Sequence, residues 1–402
     1  LKILYVNTFY NEAAGAQKST KLLAESMANL GNEVHVFTID SNKNNHSEII
    51  NDVTVHRTKT FLYNPYYFIR KKRSKFIMFL YKISELFNLE SLFLFNRILD
   101  EVKPDIVHFN STTGISIFTF ISAKNRKIRS ILTLRDYWLI YPLGEKKNKL
   151  IDIINSVLVK ITSSCLKNIN YVTSPSKFTL DKFFEKKVLD SKNLNFEVIP
   201  NAVKMDEEEI KNIISNRIRD IDKFRKSDHP IKFLFVGSIM EIKGVLFLIE
   251  EFSGYNKRFH LDIIGKGAKV DVVVQSTSNC DNINYLGFKT GEELKAEFIS
   301  HDILIVPSLW DEPFGRVVVE GNNFGLPVIT SNKGGMPEIL NKTGGGEIFN
   351  PDIEGDLLNK INKVVNVNNL LDYYRKIGNN IMYYDIKNQV SMFLNVYNKL
   401  VD

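Results

Sequence analysis

Short runs of β-branched and aliphatic residues alternate with longer amphipathic stretches along this chain, and the alternation occurs twice. In the first half the short runs are Lys2–Asn7, Glu33–Thr38, Val53–His56, Asp105–Phe109, Ser130–Leu134, Tyr171–Thr173 and Phe196–Ile199, and the first long stretch is Ala16–Leu30. Short apolar runs separated by helix-length periodic segments predict βα repeats, and therefore a parallel sheet covered by helices. Gly31 follows the first helical stretch, where a left-handed cap residue belongs. Pro200 closes this half, and an acid-rich helical stretch from Asp206 to Lys226 leads to a fresh start at Ile231–Val236. The pattern resumes with Leu261–Ile264, Ile283–Leu286, Ile303–Val306 and Val328–Thr330, with helices such as Gly291–Ile299 between them. A chain of 402 residues exceeds what one core serves, because single cores stop growing near ~250 to 300 residues. The expectation is an α/β protein of two doubly wound, Rossmann-like domains facing each other across a cleft, residues 1–200 and 201–384. The stretch from about 385 to 402, amphipathic over Asn388 to Leu400, is expected to cross back onto the first domain. Ligands of open α/β sheets sit beyond the carboxyl ends of the strands, so the cleft is the expected site.

An apolar content of 44% and a charged content of 25% fit an ordinary globular protein and exclude a disordered or fibrous one. The two cysteines, Cys165 and Cys280, are far apart and share no metal-binding spacing, which points to a reducing compartment. The run Ile3–Val6 is too short for a signal-peptide core, and no stretch of about eighteen uncharged apolar residues occurs. A cytoplasmic chain, neither exported nor membrane-spanning, is expected. The net charge of +7 favours anionic partners without choosing among nucleotides, lipids and nucleic acid.

Two carboxylates bracket a turn in Glu312-Pro313-Phe314-Gly315-Arg316-Val317-Val318-Val319-Glu320. If the segment from Gly315 onward is helical, the two lie at most ~12 Å apart and roughly 80° around the axis, so both can face one cleft. The backbone N–H groups of Phe314, Gly315 and Arg316 offer an anion site at the helix start. A diphosphate ligand with hydroxyls at each end, as in a sugar nucleotide, suits this layout. The bland alternative is a surface helix with two solvated acids. The surrounding order argues against it: strand-like Ile303–Val306 precedes the motif, while Pro327–Thr330 and Gly334-Gly335-Met336-Pro337-Glu338 follow. Upstream, strand-like Ile231–Val236 leads into Gly237-Ser238-Ile239-Met240-Glu241-Ile242-Lys243-Gly244. Lys243 at this strand-to-helix junction can reach a phosphate held at the helix start, or can be a solvated loop lysine.

With these segments in order, residues 196–350 resemble the GT-B retaining glycosyltransferases of family 4, also called glycosyltransferase group 1. The resemblance rests on Gly237 to Gly244, Gly265-Lys266-Gly267, Tyr285-Leu286-Gly287-Phe288, the Glu312 to Glu320 motif and Gly334 to Glu338. Looser likenesses in the first half are Lys2 to Val6, Pro104 to His108, Thr133 to Trp138 and Ile199-Pro200-Asn201-Ala202. The resemblance implies that Glu312 holds sugar hydroxyls, Glu320 the nucleotide ribose and Lys243 the diphosphate. Amides at Phe314, Gly315 and Arg316 complete the donor pocket, Gly237, Ser238 and Gly15 approach the donor, and Leu286 and Phe288 neighbour the base. The donor is a UDP- or GDP-linked sugar acting as substrate, and no cofactor is implied. Three departures stand out: Ser238 replaces an Arg of many relatives, Ala14-Gly15-Ala16 replaces a Gly-Gly pair, and Arg135 replaces a His before Asp136. Arg135 is a catalytic candidate that steers an anionic acceptor, or else an ion-pair partner of Asp136.

No metal site is expected. The Asp220-Ile221-Asp222 pair falls in the predicted linker helix, where residues two apart diverge, and the seven His show no ligand spacing. The positive helix start and Lys243 would instead stabilise the departing diphosphate. The expected function is retaining transfer of a sugar to an acceptor hydroxyl, on a glycan or lipid-linked glycan of a bacterial surface polysaccharide. Alternatives are a non-catalytic GT-B subunit that binds a nucleotide sugar or a partner and regulates it, and a sugar-nucleotide epimerase for which no acid/base pair is evident. Residues 61–82 interleave Arg70, Lys71, Lys72, Arg73 and Lys75 with Tyr63, Tyr66, Tyr67, Phe68, Phe76, Phe79 and Tyr81. That mixture suits an anionic membrane surface at the inner face of the cell membrane. No nucleic-acid recognition motif accompanies it, so nucleic acid is not an expected partner.

Overall fold

Each series of alternating runs builds its own parallel sheet. The computed structural model describes residues 1–10, 15–40, 44–60, 75–144, 149–190, 192, 194–226, 229–255, 258–278 and 280–401. Most of the basic-aromatic segment, Arg70 to Arg73 included, lies outside the described residues. Two compact units result, Leu1–Asn201 with Ile386–Asp402, and Ala202–Asp385.

The first unit holds strands β1 (Lys2–Val6), β2 (Glu33–Thr38), β3 (His46–Ile50), β4 (Val53–Arg57), β5 (Ile106–Phe109), β6 (Arg129–Thr133), β7 (Tyr171–Ser174) and β8 (Asn195–Val198). Their order is β3-β4-β2-β1-β5-β6-β7-β8, and β3 alone among them runs antiparallel to its neighbour. Ile3, Leu4, Tyr5 and Val6 are fully buried, as expected of a parallel strand covered on both faces. The helices are α1 (Gly15–Asn29), α2 (Lys75–Leu86), α3 (Leu89–Val102), α4 (Thr119–Asn125), α5 (Lys149–Leu166) and α6 (Lys177–Glu185). Gly31 has φ 81°, which satisfies the cap expected after α1.

The second unit opens with α7 (Glu207–Arg219), whose N-cap Asp206 accepts from the amides of Glu208 and Glu209. The helix expected from Asp206 to Lys226 is shorter than its composition suggested. Asp220 caps α7, and Ile221–Arg225 form a 3-10 turn, so Asp220 and Asp222 do not share a helix. Ile221 and Phe224 of this turn are both buried. Strands β9 (Ile231–Val236), β10 (Phe259–Ile264), β11 (Ile283–Tyr285), β12 (Ile303–Val306), β13 (Val328–Ser331) and β14 (Gly346–Phe349) follow. They pair in parallel in the order β11-β10-β9-β12-β13-β14. Between and after them run α8 (Val245–Ser253), α9 (Val270–Thr277), α10 (Gly291–Ser300), α11 (Arg316–Asn323), α12 (Met336–Thr343), α13 (Asp356–Val364) and α14 (Val367–Asn380).

The last helix, α15 (Ile386–Val401), belongs to the first unit and packs on α1. A buried polar chain fixes it there. Tyr397 Oη lies 2.9 Å from Tyr5 Oη and 2.7 Å from His108 Nδ1, while His108 Nε2 is 2.6 Å from Thr133 Oγ1. Burial, with the Arg135 charge nearby, holds the His108 pKa well below its usual value, so the ring is a neutral link in this chain. Gln389 on the same helix donates to the Pro200 carbonyl at 2.6 Å.

Candidate active site

The strand order of the second sheet reverses beside β9: the chain runs outward to β10 and β11, then returns on the other side as β12. Loops leaving two such strands part toward opposite faces, which opens a crevice at their carboxyl ends. The loop after β9 carries Gly237, Ser238 and Lys243, and the loop after β12 carries Ser308, Trp310 and Glu312. The two backbones touch. Gly244 has φ 72°, and a Cβ there would stand 1.9 Å from the Pro307 carbonyl oxygen, so only glycine permits this approach. The Leu309 amide donates to the Ile242 carbonyl at 2.9 Å, joining the same loops.

This junction brings the Lys243 ammonium into an ion pair with Glu312 Oε1. Ser308 Oγ lies 3.1 Å from the same carboxylate oxygen, and the ammonium sits 5.5 Å from the centre of the Trp310 ring. The Glu312 side chain keeps 13% of its exposure and that of Lys243 keeps 26%, so both charges remain within reach of a ligand. From the other side, the glycines after β13 hold the Glu312 peptide. Gly335 N–H donates to the Glu312 carbonyl at 2.8 Å, and Gly334, at φ 69°, leaves no room for a Cβ against that peptide.

Helix α11 starts at Arg316, directly after Gly315 in a left-handed cap conformation, and Phe314 is buried beside the Tyr384 ring. The α11 start therefore follows Glu312 by only a few residues, where helix-terminal amides favour an anion. One turn along, Arg316 Nε donates to Glu320 Oε1 at 2.9 Å, and Arg316 Nη1 donates to the Ala202 carbonyl at 2.9 Å. The four-residue spacing puts both side chains on one helix face. Each carboxylate of the motif thus has its own cation. Ser238 is exposed, Leu286 is half-buried after β11, and Phe288 is exposed with the Lys266 ammonium 3.9 Å from its ring centre.

Gly15 and Arg135 belong to the first unit. Gly15 begins α1, while Ala14 lies outside the described residues. Arg135 follows β6 and is buried; its Nε donates to Asn110 Oδ1 at 3.1 Å and its Nη1 to Asn201 Oδ1. Asp136 accepts from the Ser111 hydroxyl at 2.9 Å and the Trp138 amide at 3.0 Å, and burial pushes its pKa up. Ser111 in turn belongs to the switch point of the first sheet, where the Thr8 amide donates to its carbonyl at 2.8 Å.

Ser308 was not among the residues expected at the site. Its signal in the sequence is its position just after β12, four residues before Glu312. Among the described residues, no group of three His, Cys, Asp or Glu side chains is arranged as metal ligands, and no helix is long and apolar enough to cross a membrane.

Comparison with known proteins yields the same two halves. The family described as Glycosyltransferase Family 4 matches residues 13–207, and Glycosyl transferases group 1 matches residues 216–381. An uncharacterized 42.6 kDa protein in the cps region of Klebsiella pneumoniae is 30% identical over 335 residues, covering 80% of this chain and 82% of that protein. Among solved structures, sucrose-phosphate synthase from Thermosynechococcus elongatus superposes with a TM-score of 0.74 at 16% identity, over 100% of this chain and 99% of that one. Anabaena HepE in complex with UDP superposes with a TM-score of 0.71 at 14% identity, over 100% of both chains. These structures share the GT-B architecture of two Rossmann-like domains. Two family matches in tandem and a relative similar over most of its length place this chain in glycosyltransferase family 4, with the GT-B fold.

Proposed function

We propose that the protein transfers a sugar, with retention of anomeric configuration, from a UDP- or GDP-linked donor to an acceptor hydroxyl. The observation that carries this reading is the Lys243–Glu312 ion pair at the switch point of the second sheet. Lys243 receives the diphosphate and Glu312 the sugar hydroxyls, so donor binding replaces their mutual contact with one ligand contact each. Glu320, oriented by Arg316, receives the ribose hydroxyls, and the α11 amides complete the phosphate cradle. Gly237 and Ser238 line the approach to the diphosphate, and Leu286 and Phe288 neighbour the base. In the chemical step the glycosidic C–O bond to the diphosphate breaks while the acceptor oxygen bonds the same face of the anomeric carbon. The departing diphosphate oxygen takes the acceptor proton. Charge grows on the leaving group, and Lys243 stabilises it without a metal.

The acceptor proposed is a glycan or lipid-linked glycan of a bacterial surface polysaccharide, reached at the cytoplasmic face of a membrane. Support comes from the relative in a cps region and from a similar structure named as a lipopolysaccharide outer core galactosyltransferase. Similar structures with UDP and UDP-glucose support the donor class. Buried Arg135 is assigned to the acceptor side, as a cation held in place by Asn110 and Asn201.

Incubation with a panel of nucleotide sugars should yield one that raises the melting temperature and is slowly hydrolysed to a nucleoside diphosphate without acceptor. A donor that stabilises at a hundredfold its Kd contributes about 2.7 kcal/mol. Stabilisation with no hydrolysis under any condition would favour a non-catalytic sugar-nucleotide-binding subunit. The same activity should persist in excess EDTA; a complete loss restored by a divalent cation would overturn the metal-independent step. Glu320→Ala is expected to weaken nucleoside diphosphate binding by about 1.5 to 3 kcal/mol, because the ribose loses a charged acceptor. Glu312→Ala should leave that affinity nearly intact and depress turnover. Titration calorimetry beside a turnover assay separates the two, and a reversed pattern would exchange the assignments.

A further inference from the structure

One face of α5 is apolar and largely exposed. The helix buries Asn155, Leu158, Thr162, Cys165 and Leu166, a single stripe along its length. Leu150, Ile153, Val157 and Ile161 nevertheless stand 66%, 63%, 53% and 37% exposed. At about 100° per residue these four fall within one arc roughly 80° wide, centred roughly 130° from the buried stripe. A helix covering a soluble domain carries polar residues there, and a contiguous ridge, unlike scattered exposed aliphatics, marks an interaction surface. Lys149 and Lys160 line one flank of the ridge, Lys167 continues that line past the helix end, and Asp152 is the helix's only acid.

Charge over the whole chain points the same way. The first unit holds 31 Lys and Arg against 19 Asp and Glu, and the second holds 22 against 27, so the positive surplus rests entirely on the unit that carries α5. A second copy seated on this ridge would bring two basic units and two rows of lysines together, which like-charge repulsion disfavours. An anionic bilayer offers apolar depth for the ridge and phosphates for the lysines. We propose that α5 seats the first unit on an anionic lipid surface, with Leu150, Ile153, Val157 and Ile161 entering the headgroup boundary. This deepens the membrane part of the functional reading and is independent of the donor chemistry, although residues 61–82 supply six of the first unit's twelve surplus positive charges.

Flotation with vesicles of phosphatidylcholine, alone or mixed with phosphatidylglycerol, tests it on the full chain. The wild-type protein should float with the mixed vesicles at low salt. A triple variant, Ile153→Ser, Val157→Ser and Ile161→Ser, should partition about a thousandfold less, since each well-inserted aliphatic side chain is worth roughly tenfold. Its nucleoside diphosphate binding should be unchanged and its melting temperature should fall only slightly, because Ile153 and Val157 are mostly exposed and Ile161 alone is more than half covered. As a second readout in a Cys280→Ser background, an environment-sensitive dye on Val157→Cys should shift to the blue on mixed vesicles, and one on Ser156→Cys much less. Undiminished flotation of the triple variant, or equal dye shifts at both positions, overturns the proposal. Loss of flotation only when Arg70, Lys71, Lys72, Arg73 and Lys75 become Gln would assign the lipid contact to that segment and not to α5. A lipid-free dimer in sedimentation that the triple variant abolishes would assign the ridge to a second copy, which also overturns it. Donor hydrolysis, measured alongside, reports on the catalytic reading separately.

Discussion

Lys243→Ala is expected to lower kcat by about 10²- to 10³-fold, the usual consequence of removing one preorganised group aimed at developing charge. Donor affinity should change far less, because the charge that Lys243 stabilises grows after the donor is bound; nucleoside diphosphate, which carries that charge in full, should bind more weakly. Removing the ammonium also leaves the Glu312 carboxylate with Ser308 and without its cation, in the position proposed for the sugar. Lys243→Arg should recover only part of the rate. A planar guanidinium distributes its charge over a fork, whereas the ammonium is a compact point charge seated near the Trp310 ring. Steady-state kinetics on both variants decide the matter; a kcat for the alanine variant within about threefold of wild type would move the role to Arg316 or Arg135.

A second large effect is expected from a residue that carries no functional group. Gly334→Ala should destabilise the protein by about 3 kcal/mol, through a left-handed backbone cost of roughly 1 to 2 kcal/mol plus overpacking. The added Cβ would stand 2.2 Å from the Glu312 carbonyl oxygen and 2.3 Å from the Glu312 amide nitrogen, and backbone atoms cannot swing aside as a flexible side chain can. Relief requires the Glu312 peptide to move, so turnover should fall with stability. Gly355→Ala is the control: its φ is 75°, but nothing lies within 4 Å of the new carbon, so it carries the conformational cost alone. Equal melting temperatures for the two variants, with full turnover in Gly334→Ala, would show that the contact does not constrain Glu312.

The strands that form both sheets were legible because their residues are apolar on both faces, as in Ile303–Val306, and their spacing left room for helices between. Strand β14, Gly-Glu-Ile-Phe at the other sheet's edge, was not legible, because it is short and opens on a glycine. Nor was strand β3. It is an exposed edge strand, His-Ser-Glu-Ile-Ile, with only one covered side and no clean alternation to announce it. The break at Asp220 was hidden as well, since nothing in Asp206 to Lys226 opposes helix locally. At the site, the Glu312 to Glu320 spacing could be read directly because both lie on one local segment. The Lys243–Glu312 pair spans 69 residues and depends on β9 lying beside β12, with Gly244 pressed against Pro307. Arg316 could be placed on the helix face of Glu320 by its spacing, but its bond to the Ala202 carbonyl belongs to tertiary structure.

The buried chain from Tyr5 through Tyr397 to His108 also sets an order of events during synthesis. Tyr5 meets a hydroxyl partner 392 residues later, so β1 waits on α15 during synthesis. The intervening unit, Ala202–Asp385, has 184 residues. At roughly 5 to 20 residues per second, the first unit must persist for about 10 to 40 s with its α15 face uncovered. During that interval the second unit, whose six-stranded sheet is built entirely from its own strands, can fold to completion. Of the two units, the one that begins earlier therefore finishes later, and a chain stopped before α15 would carry a finished second unit attached to an unfinished first one.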